Sequence, residues 1–459
     1  MASRPEKGSE VEVFVDSLAF GGRGVARLDD FVLFVDRALP GDRVRARVTK
    51  VKRSYGEARA VATLEPGPDR VTPPCPHFGA CGGCRWQDLD YDAQLVWKSQ
   101  QIGDAMSRIG HQEGFVQDPI VPATRTYGYR NKLEFSFGES EEGPALGFHR
   151  AGRWDEIMPV TACLLMSEAG NEARRVVEAW ARRTGAAVWD RRTNQGYLRH
   201  LVCRGSDRTG ELLLTLVTGP GKLPKSSWLI DELGERVPGC VGLLHATTDG
   251  VAEVTHGLAT EVVMGRDWYE ERLLGLRLHV SSGAFLQTNT EMCERLYELA
   301  IEEAGLGGDE IVWDLYSGIG SIALALAGSA GRVYGVEVVE EAVQRAVENA
   351  ERNGIDNAEF VQGDVAKAVR PLLEAGIPQP DVVVLDPPRA GLTPKAVRRV
   401  LELEPQRIVY VSCNPTTLAG NAELLTEGGY RLERVRPVDM FPHTHHVECV
   451  ARFEAVGSG

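Results

Sequence analysis

Cys413 ends a strand-like segment, RIVYVSC, and is followed by Asn414 and Pro415. An isolated cysteine is most often a buried packing residue. Here the polar neighbours and the position at a strand end favour a nucleophile, because strand ends in open α/β sheets face the ligand crevice. A second such loop, Asp386-Pro387-Pro388-Arg389, follows the strand VVVL, and its prolines keep the chain extended. The two loops predict a reactive thiol beside a carboxylate.

The segment FPHTHHVECVARF near the C-terminus offers a base for such a nucleophile. It contains His443, His445, His446 and Glu448. The histidine spacing fits no zinc motif. A thiolate that adds to an electron-poor carbon needs a base nearby, because a proton must be removed from the adduct before the thiolate can leave. Glu448 suits that step as proton acceptor, with the histidines shaping the pocket.

A glycine turn predicts the cofactor site. DLYSGIG, residues 314–320, follows the strand IVW and precedes the helix SIALALAG, so its backbone can approach a ligand closely. Glu337 ends the next strand and suits a ribose diol, and Asp364 ends the following strand, placed to reach an adenine amino group. Two glycines alone would fit any Rossmann-like nucleotide enzyme. The combination is similar to that of class I methyltransferases, whose sites bind S-adenosylmethionine.

Cysteine clustering marks a further site. Cys75, Cys81 and Cys84 lie within ten residues, whereas the other six of the nine cysteines are spread out. Disulfides are not expected in a cytoplasmic chain. Such clustering predicts a metal or metal-cluster site.

The elements that must position these residues fall into three predicted domains of the 459-residue chain. Residues 1–66 contain five short strand-like segments separated by turns, which predicts a small β-barrel. Residues 67–285 mix helical and strand patterns and predict an α+β domain. Residues 286–459 alternate strand and helix, which predicts a mainly parallel, doubly wound α/β sheet of the Rossmann-like class I methyltransferase type. The helix near 90–110 could pack on either of the last two domains.

Charge and hydropathy limit the partners and the location. The net charge is −14, yet the segment from Arg43 to Arg59 carries seven basic residues and one acid, which is compatible with RNA binding. No apolar stretch approaches the roughly 20 residues that span a bilayer, and MASRPEKGSE lacks the apolar core of a signal peptide. A cytoplasmic protein without membrane contact is expected, and nothing requires more than a monomer.

Taken together, these segments resemble the RNA 5-methyluridine (uracil-C5) methyltransferase family, over nearly the whole chain. Residues 9–64 resemble its TRAM domain, an RNA-binding barrel of the OB-like type, and residues 282–289 resemble its SxxxFxQxN segment. DLYSGIG, DPPRAG, SCNP and HTHHVE follow in the family's order. The resemblance implies methylation of a uridine in tRNA or ribosomal RNA. GYRNKLEFSFG also looks like a family segment, and its Arg130 and Asn131 suit RNA, although a polar strand edge explains them nearly as well.

The resemblance also implies residue roles. Cys413 is the expected nucleophile and Glu448 the proton acceptor. The residues expected to bind S-adenosylmethionine are Gln287, Tyr316, Glu337 and Asp386, to which the spacing argument adds Asp364. Cys75, Cys81 and Cys84, with Cys163 far downstream, look like the family's four-cysteine [4Fe-4S] site. Four thiolates would also suit zinc, and it is the family resemblance that favours the cluster.

Other functions fit parts of the pattern. Methylation of cytosine C5 in RNA can use the same thiolate attack. A methyltransferase that acts on amino groups would need no cysteine. A non-catalytic RNA-binding or iron–sulfur protein would make the placement of Cys413 and Glu448 accidental.

Overall fold

The computed structural model describes residues 4–255 and 257–457, and the first domain within them is a closed five-stranded barrel. Its strands, in the order β1-β2-β3-β5-β4, are β1 (Glu10–Leu18), β2 (Gly24–Leu28), β3 (Phe31–Asp36), β4 (Arg43–Val51) and β5 (Tyr55–Glu65). Alternate residues of β3 and β4 point inwards, so that Leu33, Val35, Val44 and Ala46 form part of the core. The prediction of a small barrel is confirmed.

A seven-stranded sheet forms the middle of the molecule, in the order β13-β12-β11-β10-β7-β8-β9. Its strands are β7 (Lys132–Ser140), β8 (Gly143–His149), β9 (Ile157–Pro159), β10 (Leu198–Ser206), β11 (Glu211–Thr218), β12 (Cys240–Thr247) and β13 (Thr260–Gly265). The helices α2 (Glu168–Thr184) and α3 (Ser226–Arg236) pack on it through residues such as Trp180 and Leu229. The alternation of helix and strand is the predicted α+β pattern.

An eight-stranded sheet carries the predicted chemistry, in the order β18-β17-β16-β19-β20-β22-β21-β6. Its strands are β6 (Val116–Gln117), β16 (Ile311–Leu315), β17 (Arg332–Glu337), β18 (Ala358–Gln362), β19 (Val382–Leu385), β20 (Arg407–Ser412), β21 (Tyr430–Val438) and β22 (Glu448–Ala455). The strands from β18 to β20 are parallel, and β22 is antiparallel to both neighbours. The chain reverses its direction of progress between β16 and β19, which is where ligands bind in such sheets.

Helices cover both faces of this sheet. They are α4 (Thr290–Ala304), α5 (Ser321–Ala327), α6 (Glu340–Arg352), α7 (Val365–Glu374), α8 (Pro394–Glu402) and α9 (Pro415–Glu427). A hairpin of β14 (Trp268–Leu273) and β15 (Leu276–Ser281) lies between the two large sheets, and its Tyr269 and Val280 share one hydrophobic core with Leu213 and Val312. The central and C-terminal sheets are therefore packed into one body.

The helix α1 (Tyr91–Arg108) packs on the C-terminal sheet, although it lies far from that sheet in the sequence. Its Ile102 and Met106 share a core with Leu418 of α9, and β6 adds a parallel strand next to β21. The division of the chain at residues 66 and 285 stays a prediction.

Helix α1 is amphipathic, and within the two described ranges no helix combines the length and the apolar character needed to cross a bilayer.

Candidate active site

Strand pairing brings Cys413 next to Glu448. In the antiparallel ladder between β20 and β22, Ser412 is opposite Cys449. Continuing that register by one residue places Cys413 opposite Glu448, at the carboxyl end of β20. The two residues are far apart in the sequence and become neighbours only because β22 is inserted beside β20.

The surroundings disfavour charge on both groups. Burial, then the nearby carboxylates of Glu448 and Asp386, raise the pKa of the Cys413 thiol to about 12, and Arg389 opposes this rise. Glu448 is 1% exposed, and its pKa is raised well above the usual range by burial and then by Asp386. Because like charges at short distance cannot all ionise, the site of the free protein holds its protons tightly.

The Asp386 loop is bonded to the Cys413 loop. Asn414 Nδ2 donates to the carbonyl oxygen of Arg389 at 3.1 Å, and the Asn414 side chain also caps α9. Asn421 Oδ1 accepts from Leu392 N at 2.8 Å, and Asn421 Nδ2 donates to Leu392 O at 3.0 Å. These bonds fix the positions of the thiol and the carboxylate relative to each other.

The glycine turn after β16 has the strained backbone that a close ligand approach requires. Tyr316 has φ +74°, and Gly320 has φ +82° with the ring of Phe360 only 2.7 Å from where a Cβ would stand. Glu337 Oε2 accepts from Gly318 N at 3.0 Å, and its Oε1 accepts from Val339 N at 2.9 Å. The Glu337 carboxylate is thereby held at the end of β17, beside the turn.

Three of the predicted cofactor residues surround this turn. Burial, then Asp364 and Glu337, raise the pKa of the Tyr316 hydroxyl to about 12, which places both carboxylates near it. Asp364 itself is exposed, at the N-terminal end of α7. Asp314 lies beneath the turn and is fully buried, and burial with the neighbouring Asp386 raises its pKa to about 8.

Gln287 reaches the site from the segment before α4. Gln287 Nε2 lies 3.5 Å from Asp386 Oδ2. Burial raises the pKa of Asp386 to about 7, and the Gln287 amide opposes this rise. Asn131 of the central domain donates to the carbonyl oxygen of Gln287 at 2.9 Å. Arg204 Nη1 donates to the carbonyl oxygens of Ser281 and Ser282 at 3.1 and 3.0 Å. The central sheet therefore fixes a segment of the site.

The loop of residues 439–447 precedes Glu448 and is held by α1. Lys98 Nζ donates to Asp439 Oδ1 at 2.6 Å, and both side chains are fully buried. One turn earlier in α1, Gln94 Oε1 accepts from His443 N at 2.8 Å. Asn289 Nδ2 donates to Met440 O at 2.9 Å, which joins the same loop to the Gln287 segment.

The four predicted metal ligands line one cavity of about 340 Å³. Burial, then the neighbouring Cys81 and Cys75, raise the pKa of the Cys84 thiol to about 11, and Gln87 and Arg130 oppose this rise. Gly83 N donates to Cys81 Sγ at 3.4 Å, the kind of bond that stabilises a thiolate ligand. No group of three or more His, Cys, Asp or Glu side chains within residues 4–255 and 257–457 is arranged to hold a metal ion. The four cysteines therefore share one cavity, without a metal-binding arrangement of their sulfur atoms.

The structure therefore gathers the predicted site residues into two groups. Cys413, Glu448, Asp386 and Gln287 lie together, with Tyr316, Glu337 and Asp364 around the adjoining turn. The four cysteines form the second group. Sequence reasoning assigned no role to Arg389, although the DPPR motif contains it, nor to Asp314 in DLYSGIG. It also missed Lys98, for which a lysine within the apolar spacing of α1 was the only signal.

The parallel sheet, its glycine turn and the carboxylates that follow successive strands define a class I methyltransferase. Comparison with known proteins gives the family. Residues 251–455 match the model of the tRNA (uracil-5-)-methyltransferase family, and residues 4–61 match the TRAM domain. The chain is 39% identical to an uncharacterized RNA methyltransferase of Halalkalibacterium halodurans, with 98% of this chain and 97% of that protein covered. It belongs to the RNA uracil-5-methyltransferase family.

Two further proteins are similar over nearly the full length. An uncharacterized RNA methyltransferase of Caldanaerobacter subterraneus is 38% identical, with 98% of this chain and 99% of that protein covered. The crystal structure of the Pyrococcus abyssi tRNA (uracil-54, C5)-methyltransferase in complex with S-adenosyl-L-homocysteine is 28% identical. Its TM-score is 0.76, and the match covers 96% of this chain and 100% of that one. The fold and the RNA methyltransferase class predicted from the sequence are confirmed.

Proposed function

We propose that this protein transfers the methyl group of S-adenosylmethionine to C5 of a uridine in tRNA or ribosomal RNA, through a covalent bond between Cys413 and C6. One observation carries the proposal: the β20–β22 register pairs Ser412 with Cys449, and its continuation by one residue sets Cys413 opposite Glu448 at the ligand end of the sheet. A nucleophile and a base on the same side of one pocket are what this reaction needs.

Cys413 acts first, as its thiolate. Its sulfur adds to C6 of the uracil, and the electrons of the C5–C6 double bond make C5 the nucleophile. S-adenosylmethionine, when bound, supplies the methyl group on a positively charged sulfur. Arg389 favours ionisation of the thiol, and any further positive charge in the pocket acts in the same direction.

Glu448 acts last. Its carboxylate takes the proton from the methylated C5, the electrons of that C–H bond restore the C5–C6 double bond, and the C6–S bond breaks to release the Cys413 thiolate. While Cys413 is bonded to C6 its sulfur carries no charge. Repulsion between the two groups is then absent, so Glu448 ionises more readily at the stage where a base is required.

The residues around the glycine turn are proposed to hold S-adenosylmethionine. Glu337 and Asp364 would accept hydrogen bonds from the ribose and the adenine, and Tyr316 would contact them from the turn. Asp386 and Gln287 would lie nearer the sulfur, between the cofactor and Cys413. The two bonds from backbone N–H groups that fix Glu337 support its role, because a preset carboxylate needs little ordering on binding.

The substrate is proposed to be a uridine that leaves its stack, since C6 is not accessible inside a helix. The barrel, which matches the TRAM domain, is proposed to contact RNA through its basic segment. The cytoplasm supplies RNA and keeps thiols reduced, and it is the proposed location. One chain holds every residue named above, so a monomer is the proposed state.

Cys75, Cys81, Cys84 and Cys163 are proposed to hold a [4Fe-4S] cluster in a structural or RNA-positioning role. The resemblance to the family supports the cluster over zinc, and the shared cavity with Arg130 nearby supports a group carrying negative charge. Anaerobic purification should give iron and sulfide with a broad visible absorption. Stoichiometric zinc without iron would contradict the cluster.

Mass spectrometry of the methylated nucleoside tests the reaction. Anaerobically purified protein is incubated with labelled S-adenosylmethionine and with tRNA or ribosomal RNA from cells lacking the gene. The tRNA is tested first, because the similar Pyrococcus abyssi structure is that of a tRNA (uracil-54, C5)-methyltransferase. Label in 5-methyluridine supports the proposal, whereas label only in 5-methylcytidine or in an amino-methylated nucleoside would contradict it.

A further inference from the structure

Four aromatic side chains form a continuous series of rings, here called the aromatic row: Phe20, His445, His446 and Phe441. The ring centroids of Phe20 and His445 are 6.3 Å apart, those of His445 and His446 are 4.1 Å apart, and those of His446 and Phe441 are 6.1 Å apart. Phe20 belongs to the barrel, in the connection between β1 and β2. The other three belong to the loop 439–447, which precedes Glu448. The row therefore joins the barrel to the active site.

Guanidinium groups accompany the row along its length. The Arg130 Cζ lies 5.6 Å from the centroid of the Phe441 ring. Arg389 is near enough to lower the pKa of both His445 and His446, and Arg85 lowers that of His445. Neither Arg130 nor Arg389 forms a salt bridge with any residue in the described part of the chain. The positive charge of Arg389 is therefore available to a phosphate, whereas Arg130 also lines the cysteine cavity.

The two histidines are neutral rings. Burial, followed by the neighbouring cations, lowers the pKa of His445 to about 4 and that of His446 to about 3. An uncharged imidazole at neutral pH presents a flat aromatic face of the kind on which nucleic-acid bases stack. Phe20 is 36% exposed, so its ring is accessible at the barrel end of the row.

The barrel connection is fixed against this loop. Trp86 Nε1 donates to Gly22 O at 3.4 Å, and Gln101 Nε2 lies 3.4 Å from Leu18 O. A Cβ at Gly22 would stand 3.1 Å from the Cβ of His445, so the two segments are in close contact. Phe20 is thereby held at a set place beside the row. Arg389 lowers the pKa of Cys413 as well as that of both histidines, so the same cation lies near the row and near the reactive thiol.

We propose that the aromatic row binds the unpaired nucleotides next to the target uridine, with bases stacked on its rings and phosphates bound by Arg85 and Arg389. The inference rests on the proposed function and specifies its substrate as single-stranded RNA at this position. It assigns the barrel a part in forming the substrate site, through Phe20. A flipped uridine leaves its neighbours unpaired, and such bases favour aromatic and guanidinium surfaces.

Binding of a fluorescein-labelled oligouridylate to the full-length protein tests the inference. Anisotropy titrations at several KCl concentrations give the Kd and its dependence on salt. Phe20→Ala and His445→Ala are each expected to weaken binding by about tenfold, with the salt dependence unchanged, because stacking releases no counterions. Arg85→Ala is expected to lower the slope of log Kd against log [KCl] by about 0.7, the value for one phosphate contact on a single strand.

Matched variants guard against loss of structure. His445→Phe keeps a ring and should retain the affinity that His445→Ala loses. Phe14→Ala removes an exposed ring of β1, outside the row, and should bind as the unaltered protein does. The inference is overturned if Phe20→Ala and His445→Ala bind normally, or if Phe14→Ala loses as much affinity as Phe20→Ala. A protein that binds oligouridylate through the row but never forms 5-methyluridine would contradict only the proposed reaction.

Discussion

Two regions of this molecule collect cysteine thiols, and their surroundings differ. At the end of β20, Cys413 lies among carboxylates, with Glu448, Asp386 and Arg389 as its charged neighbours and the fully buried Cys449 as the other thiol nearby. In the other region four thiols share a cavity, and the positive charge of Arg130 lowers the pKa of Cys84 and Cys163. A lone thiol beside a base suits bond making and breaking. Grouped thiols beside a cation suit ligation.

The two regions are also built differently. Cys413 is positioned by strand register and by the bonds of Asn414, both parts of a packed sheet. The four cysteines lie on loops, which are bonded to neighbouring elements: Gly82 N donates to His149 O at 3.0 Å, and Asn171 Oδ1 accepts from Cys163 N at 2.8 Å. Sheet ends place single residues accurately, whereas loops can bring together ligands that are distant in the sequence.

Replacing the lone thiol should have the largest effect. Cys413→Ala is expected to lower methyl transfer by about four orders of magnitude or more, because no other group can form the bond to C6. The rate of label transfer to RNA measures this. Cys203→Ala, which alters a buried cysteine of the central sheet, should stay active. Methylation by Cys413→Ala at the unaltered rate would refute the nucleophile.

The ion pair between Lys98 and Asp439, which holds the loop 439–447, should contribute strongly to the free energy of unfolding. Lys98→Met leaves Asp439 buried without its partner and is expected to lower the free energy of unfolding by about 3–5 kcal/mol. Urea denaturation measures the change. In the double variant Lys98→Met with Asp439→Asn, much of the loss should be recovered, since no buried charge remains unpaired. Equal stability of Lys98→Met and the unaltered protein would mean that the loop is held by other contacts.

The carboxylate beside the thiol should make cofactor binding depend on pH. Burial raises the pKa of Asp386 to about 7, so the group is charged above that pH and neutral below it. Affinity for the positively charged S-adenosylmethionine should therefore decrease as the pH falls below about 7, by up to about tenfold per pH unit. Calorimetric titration measures this, and Asp386→Asn should bind more weakly with a flatter pH profile. An unchanged pH profile in the variant would exclude Asp386 as the titrating group.

The grouped thiols should matter least for the chemical step. Cys163→Ser is expected to lose iron while its affinity for S-adenosyl-L-homocysteine stays unchanged, because the cavity and the glycine turn share no residue. Iron analysis and calorimetry separate the two effects. Cys240→Ser serves as a control outside the cavity. Loss of cofactor affinity together with iron would show that the two regions are coupled.

Short motifs made much of the candidate site predictable. Cys413 and Asp386 each follow a strand and Glu337 ends one. Strand ends in an α/β sheet are recognisable from apolar runs and the polar residues that come with them. The barrel was equally predictable from the sequence, because the alternation of apolar and polar residues and the turns between strands are local signals.

Long-range pairing could not be predicted in the same way. Lys98 and Asp439 are separated by 341 positions, and no local pattern reports that they meet. The short strand β6 joins the C-terminal sheet through two residues, Val116 and Gln117, which is too brief for any periodicity. The register that sets Cys413 against Glu448 depends on where β22 inserts, which tertiary packing decides.

The most direct test of the account is to trap the covalent complex. Glu448→Gln preserves the shape of the side chain but removes the base, so addition of Cys413 and methyl transfer should proceed while release is blocked. After incubation with S-adenosylmethionine and substrate RNA, nuclease and protease digestion followed by mass spectrometry should find the peptide containing Cys413 bonded to a methylated uridine nucleotide. Recovery of free Cys413, with 5-methyluridine formed at the normal rate by the variant, would contradict the account.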